Sequence, residues 1–454
     1  MRRPAVAILA LSLCSTAFAA NRFPLVVTEP AGIARHQSPV TSGIPFARGE
    51  LRSADSVALV ASESPGMQIP LQTEILSRWP DGSVKWLLLD FQINLKPNQP
   101  SRFFLHYGAD VTRRPVSNPI VITDGYEGMT VDSRRLRLHL DRKNFRPLNA
   151  VWLDRNSDGR YDKNERITDA DSPGLVLTTP SGRSFSAHTS AMHITREQQG
   201  PLRACLRLHG SHRDADGSFF RYVVRLHIFR GLPDIRFDYT FVNDHTPKTM
   251  SSVDRLTCRW KLAGDGPFIH HLEGPRKKST RLFQVDDRQY HIDGEPEGRH
   301  AAGWAAAWGA NGGLAVGVRH FWQNWPKSLS VGDGQLGIGI LPQFAKGTYD
   351  GRPIREEAKL YYYLRDGAYS FKLGVAKTHE VWARFLGQPP KPEQLDAHFR
   401  GLGQRLLAEP TPQRIADTRV MGDMPPTRPG PTADYDRWFS GFLDKHLRGQ
   451  DEVR

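Results

Sequence analysis

Residues 203–242 read RACLRLHGSHRDADGSFFRYVVRLHIFRGLPDIRFDYTFV. Two strand-like runs, Arg203–Gly210 and Tyr222–Phe229, flank the turn residues Asp214–Gly217, and this arrangement predicts a β-hairpin. The next run, Ile235–Val242, alternates apolar and polar residues, as expected for an antiparallel strand with one face in solvent. The many similar runs in the middle of the chain predict an all-β fold with a large antiparallel β-sandwich.

The part of the chain before the sandwich is divided into short apolar runs by Gly and Pro residues. Between two of these runs, Pro80-Asp81-Gly82 predicts a tight turn, because Pro presets one dihedral angle and Gly permits a positive φ. The pattern favours a small all-β barrel. The apolar runs are Pro24–Val27, Val57–Val60, Leu87–Phe91 and Phe103–Leu105.

Residues 317–328, GVRHFWQNWPKS, combine cationic and aromatic side chains after a run of glycines and small apolar residues, Gly313–Val318. We expect the run to be a tightly packed strand that delivers the cluster to a surface. A guanidinium binds a carboxylate in a forked geometry and an indole covers the apolar face of a sugar ring, so the cluster favours recognition of an acidic sugar. The alternative is that the tryptophans pack in a core with the cations on its rim. The cluster is Arg319, His320, Trp322, Gln323, Trp325 and Lys327.

Residues 154–165, DRNSDGRYDKNE, match the spacing of a twelve-residue calcium loop. Gly159 stands at the sixth position, where the loop turns sharply, and Arg160 would contribute its carbonyl oxygen. Because the flanking sequence is strand-like, we expect a structural Ca²⁺ site rather than a sensor hand. The alternative is a metal-free polar turn. The side-chain ligands would be Asp154, Asn156, Asp158, Asp162 and Glu165.

The chain has 454 residues, too many for one compact core, so we expect two or three domains. Its formal net charge of +13 favours a polyanionic partner. The basic residues are spread along the chain without a nucleic-acid-binding motif, which argues against nucleic acid as that partner.

The first residues have the pattern of a signal peptide. A basic start at Arg2 and Arg3 is followed by the apolar segment Ala5–Leu13 and by small residues at Ala17 and Ala19. We expect cleavage after Ala19 and a periplasmic or secreted protein. No later run is long enough to cross a bilayer as a helix, so no transmembrane segment is predicted.

Three cysteines occur in the sequence. Cys14 lies in the leader, and Leu13 before it fits a lipidation site poorly. Cys205 and Cys258 lie in strand-like runs, and an exported protein could join them in a disulfide or bury them separately.

Four stretches resemble a known family. Ser42–Leu51 and Arg78–Trp86 resemble the N-terminal RIFT-type barrel of exo-rhamnogalacturonan lyases and their PcRGLX/YetA-like relatives, polysaccharide lyase family 26. Gly317–Ser328 and Gly374–Glu380 resemble motifs in the central β-sandwich of that family. The similarity covers residues 23 to about 410, and it implies a sandwich of the kind that lies beside helical toroids in polysaccharide-degrading enzymes.

The resemblance implies a domain organisation. Family members continue into a large (α/α) toroid, whereas this sequence ends near its expected start, after predicted helices at Pro392–Leu407 and Tyr435–Leu447. We expect either a shortened chain or a separate chain that supplies the toroid. The predicted divisions are a signal peptide (1–19), the barrel (20–110), the sandwich (111–388), and a helix, Pro-rich linker and truncated helical domain (389–454).

The family resemblance implies uronate β-elimination on acidic plant polysaccharide. The proton at C5 becomes removable once the neighbouring carboxylate is neutralised, and a base then takes it. Arg319 suits the first role and His320 the second. Adjacent strand residues point to opposite faces, so both can serve one site only if the backbone bends there.

Further candidate residues are His245 and Asn243, at the end of a predicted strand, and His379 in the Thr378-His379-Glu380 motif. Each also has an ordinary structural interpretation, as a turn or as a hydrogen-bonded core residue. A non-catalytic carbohydrate-binding remnant and a lyase or hydrolase for another uronate polymer, such as ulvan, are the alternative functions.

Overall fold

The computed structural model describes residues 21–64, 66–189, 192–274, 279–351, 353, 362–424, 426, 430 and 432–445. The predicted signal peptide, residues 1–19, and the last two residues of the predicted helix Tyr435–Leu447 lie outside these residues. The described residues form 31 strands and three α-helices, in an N-terminal RIFT barrel followed by a central β-sandwich and short C-terminal helices. The all-β prediction is therefore confirmed.

The barrel consists of two sheets around one core, with strand orders β31-β1-β7-β3-β4 and β2-β6-β5. The turn at Pro80–Gly82 is confirmed, since Gly82 has φ 80° and the amide of Trp79 bonds to the Ser83 carbonyl at 2.8 Å. Its strands are β1 (Asn21–Thr28), β2 (Arg35–Pro45), β3 (Val57–Ala61), β4 (Gln68–Ile69), β5 (Gln72–Arg78), β6 (Val84–Leu95), β7 (Pro100–Tyr107) and β31 (Ala408–Pro410).

The sandwich is built on a 16-stranded sheet, with a four-stranded sheet (β11-β10-β9-β8) and a three-stranded sheet (β18-β29-β28) beside it. The predicted hairpin is β15 and β16, and β17 pairs with β16 on one side and β30 on the other. The strands are β8 (Val121–Asp124), β9 (Gly128–Asp132), β10 (Leu136–Asp141), β11 (Val151–Leu153), β12 (Gly174–Thr178), β13 (Ser184–Ser186), β14 (His193–Gln199), β15 (Arg203–Arg213), β16 (Ser218–Phe229), β17 (Asp234–Val242), β18 (Met250–Val253), β19 (Arg255–Lys261), β20 (Ile269–Leu272), β21 (Arg281–Gln284), β22 (Tyr290–Ile292), β23 (Glu295–Gly298), β24 (Trp304–Gly309), β25 (Gly312–Val318), β26 (Lys327–Gly332), β27 (Gln335–Leu341), β28 (Tyr363–Arg365), β29 (Ala368–Lys372) and β30 (Ala376–Leu386).

The segment after the sandwich differs from the prediction of a long helix and an extended linker. Helix α1 (Pro392–Gly403) ends four residues earlier than expected, and β31 then pairs with β1, so the chain returns to the barrel. Leu406 and Ala408 are part of the barrel core, which explains why this segment is ordered against it. Helices α2 (Pro412–Asp417) and α3 (Ala433–Leu443) follow.

Polar contacts join the barrel to the sandwich. Asp90 on β6 pairs with Arg203 on β15 at 2.8 Å, and both side chains are more than 90% buried. The amide of Gln72 bonds to the backbone of Leu202 and Arg203. Removing one partner of a buried ion pair leaves an uncompensated charge, so these contacts fix the position of one domain on the other.

Cys205 and Cys258 are both buried and unpaired, so of the two predicted alternatives the structure has separate thiols. Within the described residues, no helix has both the length and the apolar character needed to cross a membrane.

Candidate functional site

Strand β25 positions the candidate site. All seven of its residues are buried between β24 and β30, and the small side chains of the strand allow helix α1 to pack closely on it. The prediction of a tightly packed strand is confirmed. The pairing of β25 with β30 extends one residue beyond Val318, because the backbone amide of Arg319 donates to the Glu380 carbonyl at 2.9 Å.

The chain turns sharply at His320, which has φ 54°. The turn is held by Asn324, whose backbone amide and side-chain amide both donate to the His320 carbonyl at 3.0 Å. A short 3₁₀ helix, Trp322–Asn324, follows. The bend that a shared site requires is therefore present, and Arg319 and His320 line the same cavity.

This cavity has a volume of about 290 Å³ and lies where β17, β30 and the turn after β25 meet. Asp238, Thr378 and Glu380 reach it from the polar face of the sheet, because Asp238 and Glu380 are register partners on β17 and β30. The complete lining is Asp238, Arg319, His320, Asn324, Thr378, His379, Glu380 and Arg405.

Two arginines converge on one carboxylate in the cavity. Arg319 donates to Glu380 Oε2 at 3.3 Å, and Arg405 donates to the same oxygen. The indole of Trp382 donates to Glu380 Oε1 at 2.9 Å, and Nε of Arg319 bonds to the Gly403 carbonyl. Arg405 is nearly half exposed and Arg319 about a quarter exposed, so both guanidinium groups remain within reach of an incoming anion.

A second charged group lies next to this pair. Asp238 accepts from His227 at 3.2 Å and pairs with Arg236 at 3.1 Å. Burial alone would raise the pKa of Asp238, yet the hydrogen bond from His227 and the charge of Arg236 hold it below its ordinary value. Burial lowers the pKa of His227 to about 4, so this imidazole is neutral at pH 7. Asp238 is therefore a fixed negative charge beside the cavity.

Two of the residues predicted to bind substrate at a surface lie in the core instead. Trp325 is packed in the sandwich core, where its ring stacks on Tyr349. Lys327 is fully buried, and its ammonium donates to the carbonyls of Asn324, Pro326 and Ile340. The strand ends at Val318, and the 3₁₀ helix that follows changes which side chains point into the core.

The outer part of the predicted cluster is solvent-accessible. Trp322 is half-buried and stacks on His300 with ring centroids 3.7 Å apart, and Gln323 is exposed. Neither residue lines the cavity, although both are in the turn that closes it.

His379 borders the cavity but its ring faces the core. It is register partner to Tyr239, stacks on Phe241, and its Nε2 is buried without a hydrogen-bond partner. Burial, with the nearby charges of Lys327 and Lys377, lowers the pKa of His379 well below its ordinary value. Burial also lowers the pKa of Lys377 to about 8.

His245 and Asn243 lie away from the cavity. Asn243 is fully buried, where its amide donates to the Phe371 carbonyl and its oxygen accepts from the His245 amide. His245 packs edge-on against Phe219. These contacts agree with the structural interpretation of both residues.

Five residues line the cavity and were not predicted as site residues: Asp238, Asn324, Thr378, Glu380 and Arg405. The alternation of Ile235–Val242 does place Asp238 on the solvent face of its strand. Arg405 follows helix α1 and reaches Glu380 only because the chain folds back to the barrel, which no local pattern records.

The predicted calcium loop is a compact turn after β11. Asp154 is buried, and its Oδ2 accepts from the Gly159 amide at 3.0 Å. Glu165 closes the loop, since its two oxygens accept from the amides of Arg155 and Asp162 at 2.8 and 3.1 Å.

Comparison with known proteins gives matches for both β domains. The family description PcRGLX-like N-terminal RIFT barrel domain matches residues 30–98, and PcRGLX-like protein central beta sandwich domain matches residues 120–257 and 283–337. Uncharacterized protein YetA of Bacillus subtilis (strain 168) is 23% identical over 442 residues, covering 79% of this chain and 49% of YetA. The chain thus spans about half the length of the curated relative it matches.

Solved structures share the fold at low identity. An alpha-mannosidase from Enterococcus faecalis V583 has a TM-score of 0.53 with 9% identity, over 86% of this chain and 46% of that one. A protein in glycosyl hydrolase family 38 from Enterococcus faecalis has a TM-score of 0.51 with 9% identity, over 87% of this chain and 48% of the other. At this identity the likeness concerns architecture alone.

Proposed function

The chain belongs to the PcRGLX-like family, and from that premise we propose that this polysaccharide-lyase-related protein is exported, binds acidic plant polysaccharide of the rhamnogalacturonan type and cleaves it by uronate β-elimination. The observation that carries the proposal is that two guanidinium groups, those of Arg319 and Arg405, converge on Glu380 at a cavity that His320 also lines. The net charge of +13 supports attraction of an anionic polymer, and the leader pattern supports export.

The two arginines would bind the uronate carboxylate. Glu380 holds both guanidinium groups in place, and both are partly exposed, so a substrate carboxylate can replace one of its contacts. A forked guanidinium–carboxylate contact fixes orientation as well as charge. A cavity of about 290 Å³ is at the small end of the range for ligand sites, which favours a single terminal sugar unit over a long stretch of polymer.

The elimination would then use His320 as the base. With the carboxylate neutralised by Arg319, the imidazole takes the proton from C5, and the C–H electron pair forms the C4–C5 double bond. The C4–O bond breaks with its electron pair on the leaving oxygen, which takes a proton from the imidazolium or from water. His379 is unsuited to direct proton transfer, because its Nε2 is sealed in the core.

Binding without cleavage is the second candidate function. It is favoured by Glu380, which already engages both arginines, and by the core positions of Lys327 and His379. Of the three predicted catalytic histidines, all within the part of the chain that the structure describes, His320 alone is solvent-exposed at the cavity, so few groups there could act as acid or base.

The test is a comparison of turnover and affinity on rhamnogalacturonan, polygalacturonate and ulvan oligosaccharides. Turnover is followed by the ultraviolet absorbance of the unsaturated uronate product, and affinity by calorimetry, for the chain alone and with a separately produced helical toroid chain. We expect His320→Ala to abolish turnover and keep binding. The matched control, His36→Ala, changes an exposed imidazole on the barrel and should leave both unchanged. Binding without turnover in every case supports the second function. The absence of both binding and turnover would contradict both functions.

A further inference from the structure

The loop 154–165 contains a buried carboxylate oxygen with no partner. Asp154 is 4% exposed, and its Oδ2 accepts from the Gly159 amide at 3.0 Å, which turns the carboxylate into the loop. Its other oxygen, Oδ1, is also buried and has no hydrogen-bond partner. An unsatisfied buried carboxylate oxygen is costly, and a bound cation would satisfy it.

Other oxygens of the loop are arranged around the same turn. The Asn156 side-chain oxygen accepts from the Asp158 amide at 3.1 Å, and Asp158 accepts from the Arg160 amide at 2.8 Å. Ser157 and Gly159 adopt φ 63° and 77°, which bends the backbone sharply between these residues. Each oxygen that accepts one hydrogen bond retains a second lone pair for a metal.

We propose that this loop binds one Ca²⁺ as a structural ion. The ligands would be the side chains of Asp154, Asn156 and Asp158, the Arg160 carbonyl, and the carboxylates that close the loop, Asp162 and Glu165. Carboxylate, amide and carbonyl oxygens at this spacing are the ligand set that Ca²⁺ takes in proteins. Among the described residues, no three His, Cys, Asp or Glu side chains converge as a metal cluster, so the ion must draw the carboxylates together as it binds.

The charge of the loop predicts weak affinity. Residues 154–165 contain four acidic and three basic side chains, a net charge of −1. Arg135 adds a further cation at the rim, where it donates to the Asp154 carbonyl at 2.7 Å and to Ser157 at 3.1 Å. Since affinity follows the ligand charge, we expect a dissociation constant of about 10⁻⁴–10⁻³ M, the class found in extracellular modules.

Two measurements test the site. Thermal unfolding of the full chain is compared in EDTA and in about 10 mM CaCl₂, and calorimetry follows a titration with CaCl₂. We expect Ca²⁺ at about ten times its dissociation constant to raise Tm by about 1–3 °C, and an equal concentration of MgCl₂ to raise it less. Asp158→Asn, at an exposed position, should remove most of the shift, and Asp154→Asn should remove it completely.

The matched control is Asp171→Asn, which changes an exposed carboxylate outside the loop that pairs only loosely with Arg146. This variant should keep the full Ca²⁺ response. The proposal is overturned if the unsubstituted chain shows neither heat of binding nor a shift in Tm, or if Asp158→Asn responds to CaCl₂ as strongly as Asp171→Asn. Because neither readout involves a polysaccharide, the result is independent of the proposed lyase activity.

Discussion

Cδ1 of Phe399 lies 2.2 Å from the position that a Cβ atom on Gly317 would occupy. The ring of this helix α1 residue is thus seated directly on the backbone of β25, in the small core that also contains Trp304 and Trp382. We predict that Gly317→Ala lowers the free energy of unfolding by about 1–3 kcal/mol, because the added methyl group must displace the ring. Urea unfolding monitored by tryptophan fluorescence measures the change.

A double-mutant cycle shows whether this contact is the cause. In a Phe399→Leu background the smaller side chain leaves room for the methyl group, so Gly317→Ala should cost less there. Gly332→Ala is the control, since a Cβ at Gly332 would meet no atom within 4 Å. Equal costs for Gly317→Ala with and without Phe399 would show that the ring is not responsible.

Local patterns in the sequence were sufficient to predict much of the fold. The hairpin β15–β16 follows from turn residues between two strand-like runs, and β17 follows from its alternation of apolar and polar residues. Each of these signals is contained in a short stretch of sequence, so each could be recognised without knowledge of the tertiary structure. The Pro80–Gly82 turn was predictable for the same reason.

The positions of Lys327 and Arg405 could not be predicted in this way. A fully buried lysine is rare, and Lys327 is tolerated only because three carbonyls accept from its ammonium, one of them on the neighbouring strand β27. Arg405 reaches the cavity through the pairing of β31 with β1, nearly 400 residues apart in the chain. Of the two arginines that converge on Glu380, Arg319 was predicted from the sequence, whereas the position of Arg405 depends on tertiary structure.

The charge balance of the cavity predicts opposite effects for two substitutions. Arg319→Ala removes a charged donor worth about 1.5–3 kcal/mol, so affinity for an acidic oligosaccharide should fall about 10–100-fold. Glu380→Gln removes the internal competitor for both arginines, so affinity should increase. Calorimetry at two salt concentrations measures both effects, and binding should weaken at high salt.

Arg207→Ala is the control for that experiment. Arg207 is on the same sheet and pairs with Glu197 at 3.7 Å, but it does not line the cavity. Its loss should change affinity little. A uniform loss of affinity in the Arg319 and Arg207 variants would indicate general charge attraction rather than a defined carboxylate site.

Removing one partner of the ion pair between Asp90 and Arg203 should destabilise the protein strongly. Asp90→Ala leaves the Arg203 guanidinium buried without its carboxylate, so we expect the free energy of unfolding to fall by about 3–5 kcal/mol. The double variant Asp90→Ala/Arg203→Met should recover part of that loss, because no unpaired charge remains. Asp55→Ala breaks the exposed pair with Arg113, at 2.7 Å, and should cost less than about 1 kcal/mol. Similar losses for Asp90→Ala and Asp55→Ala in urea unfolding would contradict the prediction.

His212 should make the stability of the protein depend on pH. Burial lowers its pKa to about 4, although its Nδ1 bonds to the Phe220 carbonyl, and its Nε2 lies 3.0 Å from the Tyr239 hydroxyl. In the unfolded chain this histidine has an ordinary pKa near 6.5, so as the pH falls it is protonated there at a higher pH than in the native state. Protonation therefore favours the unfolded chain, and stability is lost as the pH falls from 6.5 towards 4.

Between pH 7 and pH 5 this single group should contribute a loss of about 2 kcal/mol. The measurement compares the pH dependence of the free energy of unfolding for the unsubstituted chain and His212→Gln, which retains a side chain able to bond to Tyr239. The variant should be less stable at pH 7 but should lose less stability on acidification, because it has no imidazole to protonate. Other titrating groups act equally in both proteins, so they cancel in the difference. Parallel pH profiles for the two proteins would mean that His212 is protonated as easily in the native state as in the unfolded chain.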